Sequence, residues 1–322
     1  MNLTGSKCVV IGGAGFVGSH IVDELVAEPV AEIVVFDNFV RGTRANLADS
    51  VRDPRVKVVE GSILDIPLLS SVLDGAAGVF HLAALWLFEC VHQPRAALDV
   101  NVVGTFNVIE TCQRAAVTRV VYSSSASVYG DACVTPMTED HPFNNRTMYG
   151  ATKIAGEQFL RAFYEQHRLN YVALRYMNIY GPRMDDKGAY VSVIVKVLDR
   201  IAQHQRPVIF GDGMQSYDFV HVSDVARANV LAMKSERTDA AYNVGMGVET
   251  TINELVQLLL ELTGSRLEPE YRDEQMFVTR RVGGTAKAAA ELGFAATVPL
   301  RRGLQSVVDW QRVDRVRAAQ TA

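Results

Sequence analysis

Tyr149 and Lys153 stand four residues apart in Met148–His167, a segment whose apolar positions recur with helical spacing, so the two side chains share one face. A lysine ammonium near a phenol favours the phenolate and lowers its pKa from about 10. A tyrosine so tuned acts as a general base toward a substrate hydroxyl held beside a nicotinamide. Tyr-x3-Lys also arises on ordinary amphipathic helices, so the pair takes its meaning from its surroundings. Upstream, Val120-Val121-Tyr122-Ser123-Ser124-Ser125-Ala126-Ser127 reads as a strand ending in hydroxyl residues, followed by Val128-Tyr129-Gly130. A serine at that strand end is placed to hydrogen-bond the oxygen that loses its proton. Serine clusters also serve as plain turns and caps.

The cofactor for such chemistry is signalled near the N-terminus. Val9-Val10-Ile11-Gly12-Gly13-Ala14-Gly15-Phe16-Val17-Gly18 sets an apolar strand, a glycine turn and a helix start in the order that dinucleotide binding requires. Gly12 permits the tight turn and Gly15 lets a pyrophosphate approach the backbone. Gly18 lets helix pack on strand, with the phosphates at the helix N-terminus. The spacing is GxxGxxG rather than GxGxxG. Asp37 closes the second apolar strand, 19 residues after Gly18. A carboxylate there accepts hydrogen bonds from an adenine-ribose diol and repels a 2′-phosphate, which favours NAD over NADP. A structural turn with a capping aspartate is the plain alternative, and Arg41 and Arg44 keep NADP open.

Positioning these groups takes a scaffold of alternating elements. Strand signals fall at Cys8–Ile11, Ile33–Phe36, Val56–Glu60, Val79–Leu82, Val120–Ser123 and Tyr171–Arg175, with helical spacing at Val17–Ala27, Leu98–Arg114 and Met148–His167. Beyond about residue 176, Pro182, Pro207 and Gly211-Asp212-Gly213 break the chain into short pieces. Helical patterns return at Ser223–Met233, Ile252–Leu262 and Leu300–Arg312, and the last dozen residues, with Arg312, Arg315 and Arg317, read as a solvated helix end. The predicted fold is α/β: a Rossmann-type doubly wound parallel sheet with a smaller C-terminal mixed α/β substrate lobe. The expected division is an NAD-binding domain over residues 1–175, with a returning segment near 217–245, interleaved with a substrate-binding lobe over 176–322.

Composition narrows the function classes. Of 322 residues 48% are hydrophobic and 21% charged, enough for a sizeable core and unlike a disordered chain. Thirty-two basic against 36 acidic residues leave a formal charge of −4, which argues against a nucleic-acid partner or a polybasic membrane contact. No run reaches the roughly 18 apolar residues of a membrane helix; the densest, Val79–Phe88, is short and holds a histidine. Met1–Lys7 lacks a signal pattern, and Cys8, Cys90, Cys112 and Cys133 lack CxxC or CxxH spacing. No metal site or disulfide framework is expected, and the cytoplasm is the expected location. His81 and His221 read as structural, Cys90 lacks a base at suitable spacing, Trp310 reads as a core anchor, and Trp86 serves either stacking or packing.

Taken together, the motifs resemble the extended short-chain dehydrogenase/reductase family, in its nucleotide-sugar epimerase/dehydratase branch of UDP-glucose 4-epimerase-like enzymes. The resemblance runs from about Cys8 to Trp310. It rests on Gly12 to His20, Asp37-Asn38, His81-Leu82-Ala83-Ala84, Asn101 with Gly104-Thr105, and Ser123-Ser124-Ser125. Tyr149-Gly150-Ala151-Thr152-Lys153, Leu174 to Arg183, Gly211-Asp212-Gly213 and Asp218-Phe219-Val220 complete it. It implies that Tyr149 is the catalytic base, that Lys153 orients it and binds the nicotinamide ribose, and that Ser125 polarises the reacting oxygen. It implies an NAD site of Gly12, Gly15, Phe16, Val17, Gly18, Asp37, Asn38, Ser62, Ile63, Leu82, Ala83, Ala84, Asn101, Ser123, Tyr149, Lys153 and Tyr176. Trp86, Ser125, Ala126, Asn178, Arg183 and Tyr217 would face the substrate. A homodimer would pack the helices at Leu98–Arg114 and Met148–His167, unless these only cover the sheet.

Departures from the family pattern sharpen the reading. Related 4,6-dehydratases carry an Asp-Glu pair where this chain has Ala126-Ser127, and related decarboxylases a glutamate at Ser127, so epimerisation survives best. Ser62 stands where an adenine-contacting aspartate is common. Tyr217 replaces a diphosphate-clamping arginine, and a second clamp aligns with Glu274-Gln275-Met276-Phe277. Losing two charge-assisted contacts, about 1.5–3 kcal/mol each, weakens diphosphate binding unless Arg183, Arg272 or Arg280 compensates. The stretch Leu85–Pro94, expected to line the sugar pocket as a loop, is unusually apolar. The expected activity is NAD-dependent epimerisation of a nucleotide-diphosphate sugar, at C4, through a transient keto intermediate. The alternatives are an NAD(P)-dependent dehydrogenase or ketoreductase on another sugar or alcohol, and a noncatalytic NAD-binding scaffold.

Overall fold

A run that is apolar without alternation suits a strand covered on both faces, and Cys8–Ile11 is wholly buried. The computed structural model describes residues 1–185, 192–273 and 280–321, with side chains to Val313 in the last helix. Its strands are β1 (Lys7–Ile11), β2 (Glu32–Asp37), β3 (Val56–Glu60), β4 (Gly78–His81), β5 (Arg119–Ser125), β6 (Tyr171–Tyr176), β7 (Asn178–Tyr180), β8 (Val208–Phe210), β9 (Ser216–His221), β10 (Ala240–Val244), β11 (Glu249–Thr251), β12 (Glu270–Arg272) and β13 (Arg280–Arg281). The helices are α1 (Phe16–Val26), α2 (Ile66–Leu73), α3 (Leu87–His92), α4 (Pro94–Ala97), α5 (Thr105–Arg114), α6 (Met148–His167), α7 (Val193–Ala202), α8 (Val222–Lys234), α9 (Ile252–Thr263), α10 (Ala286–Leu292) and α11 (Leu300–Thr321).

The first sheet has the order β10-β6-β5-β4-β1-β2-β3, and every pairing in it is parallel. Strand order reverses between β1 and β4, which makes the carboxyl ends of those strands the crevice of a doubly wound sheet. The predicted Rossmann-type fold is therefore present. Its seventh strand, β10, comes from residues far beyond β6, and α8 packs on this sheet beside α1. A second sheet joins β11, β9 and β13, with β7 on β9, and β8 pairs β12. Its own core gathers Ile194, Leu198, Phe219, Leu255, Leu259 and Leu304, with Trp310 packed at the edge.

Three local differences from the sequence reading have physical causes. Leu85–Pro94 is not an open loop: it holds α3, and Pro94 then starts α4 at the helix position proline tolerates best. Leu98–Gly104, expected as ordinary helix, is a wide-pitched π segment, a form that often marks functional sites. Val193–Ala202 is a helix that the sequence does not announce, because Val193-Ile194-Val195 opens like a strand; the Ser192 hydroxyl caps it by accepting from Val195 N. Glu274–Phe277, Arg315 and Arg317 lie outside the residues whose side chains are described.

Candidate active site

At the carboxyl end of β1 the backbone itself forms the cradle. Gly12 has φ +81°, and a Cβ there would lie 2.7 Å from Ala83 N; one on Gly18 would lie 2.2 Å from Gly12 O. Neither position admits a larger residue without moving backbone. Gly15 starts α1 with no side-chain cap and no acidic residue in the first turn, so the first N–H groups stay open toward an anion. Leu82 N and Ala83 N donate to Ile11 O, which fixes the turn after β4 against the one after β1. Ala84 follows, half-buried. Asp37 accepts from Ala14 N (2.9 Å) and Phe39 N (2.8 Å), and burial raises its carboxyl despite both. It thereby shapes the glycine turn as well as presenting an acceptor. Asn38 Oδ1 accepts from Val40 N, and Ser62 Oγ from Leu64 N. Ile63 is buried and packs where a Cβ on Gly104 would go. Phe16 and Val17 are half-buried at the start of α1.

These features suit a dinucleotide: an uncapped helix start, a glycine cradle and an acceptor at the end of β2. Arg44 is ion-paired with Glu60 (3.1 Å) and Arg41 with Asp185, which weakens the case for a 2′-phosphate.

The second half of the site lies where β5 meets α6. Thr147 caps α6 by accepting from Gly150 N (3.0 Å), which sets Tyr149 in the first turn and Lys153 one turn on. Lys153 is buried, donates to Ser123 O (2.8 Å) and stands 5.6 Å from the Tyr149 ring centre. Ser125 ends β5 and caps the short turn Ala126–Val128, its hydroxyl accepting from Ser127 N (3.1 Å) and donating to Ser127 Oγ (3.2 Å). The structure thus brings Ser125, Tyr149 and Lys153 together. It corrects the expected direction of the phenol. Desolvation by the surrounding protein pushes Tyr149 up to about 12, Cys90 adds to that, and the nearby Ser125 hydroxyl and Arg41 only partly offset it. Lys153 is itself pushed down to about 8 by burial, which leaves it charged at neutral pH.

Other expected residues take different stations. Ser123 Oγ and Asn229 Oδ1 both meet Tyr176 OH at 2.9 Å, a buried cluster beneath the site. The Asn101 amide is buried and committed: it accepts from Leu85 N (2.6 Å), and donates to Leu85 O (2.8 Å) and Thr152 Oγ1 (3.2 Å). It therefore shapes the stretch after β4 instead of presenting a free amide to a cofactor. Trp86 lies under Arg41, 4.5 Å from its guanidinium carbon, and beside Phe88. Ala126 is buried, Asn178 is half-buried on β7 and Tyr217 stacks edge-on with Phe219 on β9. Arg183, expected at the substrate, turns instead to α1 and pairs with Asp23 (2.7 Å). The other compensating arginines are also occupied, Arg272 by Glu270 and Arg280 by Glu249.

Burial raises the Cys90 thiol, which suits packing and not nucleophilic attack. His81 meets Thr105 Oγ1 (3.0 Å) and is pushed down to about 3 by burial, while His221 bridges Ser223 and Ser306. Among the described residues no cluster of metal-ligating side chains occurs.

Sequence reasoning missed the buried network under β5. Glu157, one turn after Lys153, accepts from Ser124 Oγ and pairs bidentately with Arg175 (3.0 and 2.7 Å), which reaches Tyr129 OH and Glu139 O. The signal was present: Ser124 neighbours Ser125 on the opposite face of the strand, and Lys153–Glu157 is a helical i,i+4 step.

The parallel sheet, its glycine cradle and the Ser-Tyr-Lys grouping define an NAD-dependent enzyme of the short-chain dehydrogenase/reductase type. The chain belongs to the NAD dependent epimerase/dehydratase family, whose model matches residues 8–245. It is 33% identical over 310 residues to the UDP-glucose 4-epimerase of Mycolicibacterium smegmatis, covering 95% of this chain and 98% of that protein. It is 32% identical over 324 residues to the dTDP-glucose 4,6-dehydratase of an Actinoplanes species, covering 96% and 98%. Among solved structures, it is similar to the UDP-N-acetylglucosamine 4-epimerase from Methanobrevibacter ruminantium, in complex with UDP-N-acetylmuramic acid, with a TM-score of 0.92 and 31% identity over 97% of this chain and 99% of that one.

Proposed function

We propose that this protein interconverts C4 epimers of a nucleotide-diphosphate sugar, using NAD, through a transient 4-keto intermediate. The observation that carries the proposal is the Ser125–Tyr149–Lys153 grouping beside Ala126-Ser127, where no carboxylic acid stands to eliminate a 6-hydroxyl. The similar epimerase sequence and structure support it. Bound NAD would supply the hydride acceptor and donor. Tyr149 takes the proton from the sugar hydroxyl, Ser125 hydrogen-bonds the same oxygen, and Lys153 holds its charge beneath the phenol.

The experiment is incubation of the holoprotein with a panel of nucleotide sugars, including uronic acids and N-acetyl hexosamines, followed by NMR. The expected product is the C4 epimer with no net reduced cofactor. Net NADH would support a dehydrogenase, the reading that Tyr217 keeps open, and a 4-keto-6-deoxy product would overturn the assignment in favour of dehydration.

The same reading includes a homodimer through α6 and the stretch Leu98–Arg114, whose second half is α5. Val103 and Phe106 are 47% and 37% exposed, and Phe106 meets Phe159 and Phe163 edge-on at 5.6 and 5.7 Å, an aromatic stripe along both helices. Phe106→Glu is expected to convert a dimer to a monomer in sedimentation velocity; a monomeric parent protein would remove the dimer from the proposal. The reading also places the enzyme in the cytoplasm, which suits four free cysteines; among the described residues no helix is long and apolar enough to cross a membrane.

A further inference from the structure

β13 is two residues long and lies parallel on β9, with Arg280 opposite Ser216 and Arg281 opposite Tyr217. Alternation along the strand sends the two guanidiniums to opposite faces. Arg280 finds a full partner, with Nε and Nη2 each 2.7 Å from the Glu249 carboxylate. Arg281 does not. Its Nη2 reaches Gly130 O at 3.3 Å, near the limit of a hydrogen bond, and its Nε is buried with no acceptor. Among the described residues no carboxylate lies within ion-pairing distance of it. Burial lowers its pKa, and the Tyr217 hydroxyl and the Asp131 carboxylate, both nearby, oppose that shift only in part. A guanidinium carries five donors, and a buried Nε without an acceptor is costly unless an anion arrives to take it.

The surroundings say where that anion would sit. Gly130 follows directly on the turn that Ser125 caps. Met137 N donates to Val282 O (2.8 Å) and Gly284 N to Met137 O (2.7 Å), so β13 is stitched to the segment leaving the serine. Tyr217 shares the register of Arg281, and two residues along β9 Phe219 is paired with Asn178 of β7. Asp218 points to the other face and is consumed by Met246 N, Gly247 N and Gly283 N. The remaining arginines of this side, Arg41, Arg183, Arg272 and Arg280, already hold carboxylates.

We infer that Arg281 is the anion clamp of the substrate pocket, its guanidinium binding the phosphate oxygens of a nucleoside diphosphate from the strand beside Tyr217. The inference rests on the nucleotide-sugar reading and names the residue that holds the substrate's charge. The guanidinium fork matches phosphate oxygens two at a time.

The test is calorimetric titration of the NAD-saturated protein with UDP, dTDP, inorganic pyrophosphate and uridine, on the parent chain, Arg281→Gln and Arg281→Lys. NAD saturation keeps the helix N-terminus at Gly15 occupied, so pyrophosphate reports the second site. Arg281→Gln is expected to weaken diphosphate binding by about 10-fold to 100-fold and to leave uridine unchanged. Arg281→Lys, which keeps the charge and loses the fork, should fall between. Unchanged diphosphate affinity in either variant overturns the inference, as does an equal loss for uridine, or a parent that binds none of the diphosphates. Should the glutamine protein fail to fold, the lysine protein decides alone.

Steady-state NMR assays separate this inference from the activity. Epimerisation with an unchanged KM in Arg281→Gln removes the clamp and leaves the activity standing. Diphosphate binding through Arg281 without epimerisation does the reverse.

Discussion

Tyr149→Phe is expected to slow hydride transfer by on the order of 10³-fold, with NAD binding and thermal stability unchanged. The phenylalanine keeps the ring packed and removes only the atom that accepts the proton. The pH dependence carries an equally definite sign. Burial holds the phenol high, at about 12, so proton removal gains from alkali and the single-turnover rate climbs as pH rises. Lys153, pushed down to about 8, is charged below that pH and loses its proton above it, so the climb bends over near about 8 as the supporting charge disappears. Replacing Lys153 with methionine should abolish the bend and lower the whole profile. Stopped-flow measurement of nicotinamide reduction reads both effects. Hydride transfer at the parent rate in Tyr149→Phe would remove the tyrosine from its role as base.

The second large effect is on stability. Arg175 and Glu157 are each only 6% exposed and form a bidentate pair, flanked by Ser124, Tyr129 and the Glu139 carbonyl. Burial alone would lower the guanidinium pKa, yet the hydrogen bonds and charge of Glu157 outweigh it and the net direction is upward. Arg175→Met leaves a buried carboxylate with only Ser124 to satisfy it. The expected cost is about 3–5 kcal/mol, a drop of on the order of 10 °C in melting temperature. Arg175→Met combined with Glu157→Leu should recover most of that loss, because an apolar pair of similar volume strands no charge. Calorimetric melting of both proteins checks the claim, and a single variant as stable as the parent would refute it. Because Ser124 and Ser125 are adjacent on β5, the single variant should also lower kcat before it unfolds.

The parts legible in the sequence were those encoded within a few residues of chain. Gly12 to Gly18 fix a turn by backbone geometry alone, and Tyr149 with Lys153 share a helix face at any temperature at which the helix exists. The alternation of strand signals with helical ones was enough to give the doubly wound sheet. What stayed hidden depends on pairings across long stretches. Arg281 acquires its meaning only from its register with Tyr217 and its approach to Gly130, 151 residues away. Arg183 looked available until the fold set it against Asp23, 160 residues distant. The direction of the Tyr149 shift was misjudged for a related reason. The neighbouring cation is visible in a sequence, whereas the desolvation that outweighs it comes from the whole enclosing fold.

β10 has an implication for how such a protein is inherited. Residues 240–244 complete the sheet that begins at Lys7, lying along β6 after the chain has built β7, α7, β8 and β9 elsewhere. A gene fragment ending at Tyr176 would encode the whole glycine cradle and the Ser-Tyr-Lys grouping, yet leave β6 as a bare, apolar edge inviting self-association. The halves are therefore not exchangeable cassettes. Recombination that swaps the second sheet and its helices between relatives must leave β10 and α8 with the first sheet, so under the proposed clamp the substrate preference is expected to drift by point substitution on β9 and β13 rather than by shuffling.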